Sequence, residues 1–440
     1  MMNPHARWLL HEVDRWVADG LVSPEQAHRL RDRYSEPEAA SSWGTVVFAS
    51  AGAVVLGLGV VLLLAYNWAE IPKFGKLGLI FAALVGAHAG GLHFGRRPDG
   101  RRAIGDALSL LGTMIFGAGI WLVAQVYHID EHYPTGFLIW ALGAVAMAWA
   151  LDSVLQALLA TVLLAIWGGC EVLSFRDPHL WALPFLIVAI APLAWRRQSA
   201  VLFAVFLAAV QFLLLTNLSS LGSGSHLLTS SFAWGAFLIA LARLMAGGHA
   251  GFPGGAGVAG FFGFLTLIVC AYSLSFVASW HYVLGWDQRP VSGDETAMLH
   301  SWFLFGLAIA TWALLATRLV ARKLTGVRTE TWLVPFALIY CYALVWGRYP
   351  FLVQLGAHPF NLMLLGIASS WIWHGCRDSR LKPTVLGSLL LSAVVLARYF
   401  DLFQSLASRG LAFVILGGVF MAEAIYYRRR RAGANGEVAS

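Results

Sequence analysis

Long uncharged apolar runs, separated by short arginine-bearing segments, recur from residue 44 to residue 427 and decide what this chain can become. A membrane-spanning helix needs about 20 mostly apolar residues to cross about 30 Å of hydrocarbon. Runs of that kind fall at 44–66, 77–94, 106–127, 136–150, 153–172, 180–195, 199–216, 228–246, 257–280, 300–318, 331–347, 359–375, 384–400 and 410–427. They predict an all-α polytopic membrane protein of about fourteen spans. The finest decision lies at Asp152. One helix from Phe137 to Val172 would be about 50 Å long at about 1.5 Å per residue, too long for one crossing. Two helices joined by a tight turn at Ala150-Leu151-Asp152-Ser153 are expected instead.

Composition excludes the other classes. Of the 440 residues 59% are hydrophobic and 12% charged, whereas an ordinary soluble domain carries about 25% charged residues. Charge is therefore too scarce to cover a water-facing surface. Disorder, collagen and a disulfide-rich secreted scaffold are excluded by the apolar content, by glycine without a three-residue period, and by four cysteines spread over a long chain. Cys170, Cys270, Cys341 and Cys376 form no C-x-x-C pair and read as small packing residues. Glycine spacings such as Gly86/Gly90 and Gly91/Gly95 allow close helix approach. The stretch from Gly247 to Gly263 lacks the Lys and Ser/Thr of a phosphate-binding loop, so it reads as a loop leading into a tightly packed helix.

Lys and Arg assign the sides of the membrane. With the N-terminus cytoplasmic, 23 of the 30 basic residues fall on inner segments, among them Arg7 to Arg33, Arg96 to Arg102 and Arg428 to Arg431. Only Lys73, Lys76, Arg176, Arg289, Arg348, Arg398 and Arg409 fall outside. One missed span would invert every later loop, so an even count with both termini in the cytoplasm follows. The net charge of +7 then reads as topology signal and attraction to anionic lipid heads. Nucleic acid would want one continuous basic face, and is not an expected partner. The first apolar run begins near residue 44 behind a polar amphipathic segment, so no cleavable signal peptide is expected.

Ahead of the spans, Leu9, Val13, Trp16 and Val17 recur at helical spacing and Gly20 ends that helix. Ser23-Pro24-Glu25-Gln26 spells a capping box that starts a second helix running to about Tyr34. The division expected is a cytoplasmic helical head and linker over 1–42, a membrane bundle over 43–432 and a tail over 433–440. So short a helical hairpin cannot bury its own core and should dock on the membrane surface, inner loops or a partner.

Gly20-Leu21-Val22-Ser23-Pro24-Glu25-Gln26-Ala27 after a Trp-bearing helix, Asn67-Trp68 closing the first span, and Ala124-Gln125-Val126-Tyr127-His128-Ile129 closing the third resemble the bacterial inner-membrane proteins catalogued as domain of unknown function 2157. The resemblance covers roughly residues 5–200. It is looser beyond, at Ala397-Arg398-Tyr399-Phe400-Asp401 and the arginine-ended final span. It implies a multi-pass inner-membrane protein with a cytoplasmic helical N-terminus, and brings no activity with it.

No span carries an acid or base at its centre; the mid-span polar residues Gln156, Gln211, Thr311 and Asn361 are neutral. That weakens an ion-coupled carrier, which wants carboxylates near the midplane. Polar residues gather instead at the outer rim. The candidate site there comprises Gln125, Tyr127, His128, Asp130, Glu131 and His132 after the third span, with Arg348, Arg398 and Asp401 farther along. His128-Ile129-Asp130-Glu131-His132 spells H-x-x-E-H, a zinc-peptidase pattern. Pro134 follows at once and ends the helical frame, which favours a solvated cap or a metal-free polar site in which Asp130 or Glu131 acts as acid, base or ligand contact. Arg398 and Asp401 are spaced to pair; an open pair would let Arg398 hold an anionic head group. No cofactor and no metal are expected.

Three functions follow as rivals. The first is a transporter or flippase-like protein for an amphipathic or lipid-linked envelope substrate, with membrane lipids as partners. The second is a membrane-embedded transferase using Asp130 and Glu131 at the outer face. The third is a sensor or scaffold working through the head. Oligomeric state and any inverted repeat of two seven-span halves are open at this level.

Overall fold

The computed structural model describes residues 15–17, 19–34, 72–95, 102–129, 132–178, 180–220, 224–247, 251–276, 294–321, 329–347 and 356–398, with scattered positions besides. Among them every regular element is helical. The chain divides into two compact units, 1–167 and 168–440.

The first unit holds α1 (Pro24–Tyr34), α2 (Lys73–Gly95), α3 (Arg102–Tyr127), α4 (Pro134–Leu151) and most of α5 (Val154–Phe175). The second holds the end of α5, then α6 (Ala182–Arg196), α7 (Ala200–Ser220), α8 (Gly224–Gly247), α9 (Gly255–Leu274) and α10 (Asp294–Val320). A 3-10 turn (Thr329–Trp332), α11 (Leu333–Gly347), α12 (His358–Arg377) and α13 (Leu381–Arg398) follow among its described residues. Among the described residues 8 helices, α2 to α5 and α7 to α10, are long and apolar enough to cross a membrane. The expected runs from 77–94 through 384–400 each coincide with a described helix, whereas 44–66 and 410–427 lie largely outside the described residues.

Helix ends are built from left-handed residues. Asp152 has φ 49° and ψ 44°, and the Ser153 N–H donates to the Ala148 carbonyl at 3.1 Å, so α4 stops and α5 starts within two residues. The expected division at Asp152 is what the backbone adopts. His128 (φ 52°) closes α3 in the same way, with the Ile129 N–H on the Ala124 carbonyl at 2.9 Å. Gln198 and Ser379 do so after α6 and α12. Each satisfies carbonyls the helix leaves open at its C-terminus, a closure most often made by glycine. Before α1, the Gln26 N–H donates to Ser23 Oγ at 3.2 Å and the Ser23 N–H to Gln26 Oε1 at 3.0 Å, the reciprocal pair its spelling predicts.

In hydrocarbon, helices associate through close packing of small residues rather than through a hydrophobic driving force. α2 and α3 run antiparallel along a glycine seam. A Cβ on Gly105 would lie 2.5 Å from the Gly95 nitrogen and 2.8 Å from the Gly91 oxygen. Gly91 faces Ser109 in the same seam. Of the two expected glycine pairs, Gly91/Gly95 makes the close approach, while Gly86 meets nothing within 4 Å. α3 and α4 pack by rings on glycines: Trp140 on Gly117, Phe116 on Gly143 and Trp121 on Gly136. The Trp140 Nε1–H also donates to the Thr113 carbonyl at 2.8 Å.

The second unit centres on α8, which packs against α9 through Gly235 and Gly263. Gly254 enters α9 with φ 83°, and Gly263 lies against Leu238 and the Ile239 nitrogen, the tightly packed helix expected after the glycine-rich stretch. α8 is locked to α10 by the Trp312 Nε1–H donating to the Ala236 carbonyl at 3.0 Å. Gly375 and Gly387 seat α12 on α13.

A cavity at the open end of the glycine seam

Backbone meets backbone between α2 and α3 at Gly91, Gly95 and Gly105. Toward Lys73 and Tyr127 the closest glycine approach is Gly119 against the Ile80 side chain, where an added Cβ would lie 3.2 Å away, and a cavity of about 660 Å³ lies between the helices. Leu77, Ile80, Phe81 and Leu84 of α2 form one wall. Phe116, Ile120 and Trp121 of α3 form another, and Ile139 of α4 contributes to the third. Trp121 is held by its edge-on contact with Phe137, ring centroids 5.1 Å apart, and by Gly136 beneath it. The volume falls within the range of about 300–1,000 Å³ usual for small-molecule sites.

Polarity is confined to one end. Gln125 on the last turns of α3, His132 and Tyr133 in the connection, and Thr135 at the start of α4 line the cavity there. They supply an amide, an imidazole, a phenol and a hydroxyl, all able to donate and accept hydrogen bonds. No described residue lining it is Asp, Glu, Lys or Arg. The chemistry on offer is therefore hydrogen bonding at the mouth and dispersion along the wall.

Two of the nine sequence candidates, Gln125 and His132, meet at this cavity. Tyr127 and His128 are exposed at the end of α3 and are not part of its lining. Because α3 ends at Tyr127 and His128 is left-handed, the two histidines do not share a helix face. Among the described residues, no group of three His, Cys, Asp or Glu could hold a metal ion. Asp130, Glu131, Arg348 and Asp401 lie outside the described residues, as does the side chain of Arg398, the last residue of α13.

The neutral mid-span polar residues have separate fates. Gln211 Oε1 accepts from Thr266 Oγ1 at 3.2 Å, and Asn361 Nδ2 donates to the Ser275 carbonyl at 3.0 Å. Thr311 bonds the Leu307 carbonyl of its own helix at 2.6 Å. Gln156 is fully buried with neither amide atom partnered. A buried hydroxyl chain escaped the sequence reading. Thr229 lies 3.4 Å from Ser301, Ser301 lies 2.9 Å from Tyr342, and the Tyr342 hydroxyl donates to the Ser301 carbonyl at 2.6 Å, joining α8, α10 and α11. The tripeptide Thr229-Ser230-Ser231 inside an apolar run was its signal.

No curated protein and no solved structure matches the chain. Residues 14–157, which contain the cavity entire, match the family model described as "Predicted membrane protein (DUF2157)".

Proposed function

We propose that this chain is a multi-pass protein of the bacterial inner membrane that binds and moves an amphipathic or lipid-linked envelope substrate, as a transporter or flippase-like protein. The observation that carries the reading is the cavity between α2, α3 and α4, apolar along its length and polar at one end. A hydrocarbon tail makes dispersion contacts along such a wall, and a head group gains hydrogen bonds at Gln125, His132, Tyr133 and Thr135. The 23 to 7 sorting of Lys and Arg supports a cytoplasmic N-terminus and C-terminus, with this mouth at the outer face. Asp130, Glu131, Tyr127 and His128, next to the mouth in sequence, complete the proposed head-group site. Residues 1–42 form the cytoplasmic head.

The test is reconstitution of the full chain in vesicles holding a phospholipid that bears a nitrobenzoxadiazole (NBD) dye on a short chain. Protected dye should become accessible to dithionite faster than in protein-free vesicles. The combined substitution of Gln125→Leu and His132→Leu should slow that exchange. Exchange equal to that of empty vesicles, together with no binding of the dye-labelled lipid to the detergent-solubilised chain, would refute the proposal.

A further inference from the structure

We infer that the cavity is a single-leaflet site. It takes the hydrocarbon chain of a long-chain lipid from the leaflet on the Tyr127 side, and the α2–α3 glycine seam forms its floor. This inference rests on the amphipathic reading above and adds the side from which the substrate comes and the barrier it meets.

Depth is the first argument. On α3 the lining runs from Phe116 to Gln125, and on α2 it stops at Leu84. At about 1.5 Å per residue the α3 wall is about 14 Å deep, close to half of the roughly 30 Å hydrocarbon thickness. A lipid chain spans one leaflet, so wall and chain match in length.

The floor is the second argument. Immediately past Leu84 and Phe116 the His88 ring covers Gly112, where an added Cβ would lie 2.7 Å from the imidazole. Beyond it, Gly91 and Gly95 lie against Gly105 with backbone touching backbone. No room for a methylene remains between these helices, so a chain entering from the mouth stops there. Passage to the opposite leaflet then requires the seam to part, and the seam becomes the gate of the proposed transport.

The third argument is the mouth. Its hydrogen-bonding groups all belong to the end of α3, the connection and the first turn of α4. They sit at the level where a lipid whose tail occupies the wall keeps its head group.

The experiment uses the full chain in vesicles and a phospholipid with a diazirine midway along one chain, delivered to one leaflet only. Labelling of a Tyr127→Cys variant by an impermeant maleimide reports which leaflet the mouth faces. With illumination immediately after delivery, before the probe exchanges between leaflets, crosslinks to residues 77–84 and 116–125 should appear when the probe occupies that leaflet and fall to background when it occupies the other. Gly119→Leu and Ala124→Leu, which fill the cavity, should each lose the label, while Gly86→Leu, whose position is open, should keep it. Size-exclusion profiles matching wild type establish that the variants are folded. Equal labelling from both leaflets would overturn the single-leaflet inference and leave the amphipathic reading standing. Absence of labelling from either leaflet would overturn both, as would labelling that the two filled variants do not change.

Discussion

Replacing Gly105 by alanine sets two opposing effects against each other at the seam, and their sizes follow from its geometry. The new Cβ would lie 2.5 Å from the Gly95 nitrogen, 2.6 Å from its Cα and 2.8 Å from the Gly91 oxygen. Carbon contacts are most favourable at about 3.5–4.0 Å, so α2 and α3 must separate by about 1 Å. All three obstructing atoms are backbone and cannot rotate away. Overpacking by one methyl costs about 1–3 kcal/mol, and this site belongs at the upper end. Alanine returns about 1 kcal/mol of helix propensity over glycine. The net expectation is a loss of about 2 kcal/mol. Gly86→Ala, on the open face of α2, meets nothing within 4 Å. It keeps the propensity gain and should stabilise by about 0.5–1 kcal/mol. The assay is reversible unfolding of the purified chain in mixed micelles by a denaturing detergent, followed by circular dichroism. Opposite signs for the two glycines are expected. A Gly105→Ala protein as stable as wild type, or a Gly86→Ala protein that loses as much, would refute the seam.

Four further substitutions give measurable outcomes in the same assay. Trp140→Phe removes the donor to the Thr113 carbonyl while keeping a ring over Gly117, and should cost about 0.5–1.5 kcal/mol; no change would mean the bond is not made in the membrane. Gln156→Met replaces a fully buried amide with both polar atoms unpartnered by an apolar chain of like shape, and should stabilise by about 1–3 kcal/mol. A loss there would show that Gln156 binds something in the membrane. Tyr342→Phe leaves Ser301 without its phenol partner and should cost about 1–3 kcal/mol, whereas Ser231→Ala, which removes an unpartnered buried hydroxyl, should cost nothing.

Much of the fold is legible because hydrocarbon imposes one rule on every span: all backbone polar groups are satisfied within the helix, so length and apolarity suffice to find it. The turn at Asp152 was legible too, since the pair Asp152-Ser153 interrupts an apolar stretch too long for one crossing. Caps were legible only in part. Ser23-Pro24-Glu25-Gln26 forms its reciprocal bonds, but Ser153-Val154-Leu155-Gln156, with the same S-x-x-Q spelling, leaves the Ser153 hydroxyl and the Gln156 amide unpartnered in a buried setting. Spelling says where a cap can form; tertiary packing decides whether the side chains turn toward it.

The cavity was not legible for a related reason. Leu77, Ile80, Phe81, Phe116 and Ile120 read in sequence like any lipid-facing or core residues, and only their position opposite one another leaves space between them. The signal lies in an asymmetry along the pair of helices. Gly91, Gly95 and Gly105 meet backbone to backbone toward the short connection between α2 and α3, whereas toward the far ends Gly119 faces the Ile80 side chain and Leu77, Phe81 and Ile120 lie nearby. Gln125 and His132 were singled out by their polarity at a span end, and the structure adds the apolar wall that gives that polarity something to anchor.

A cryo-electron microscopy map of the full chain in lipid nanodiscs would test the central claim most directly. The account expects elongated density beside Trp121 that ends above the His88–Gly112 contact, with its wider end against Gln125 and His132. Phe81 and Ile120 rotated inward to close the space, or α2 and α3 in contact along their whole length, would contradict it.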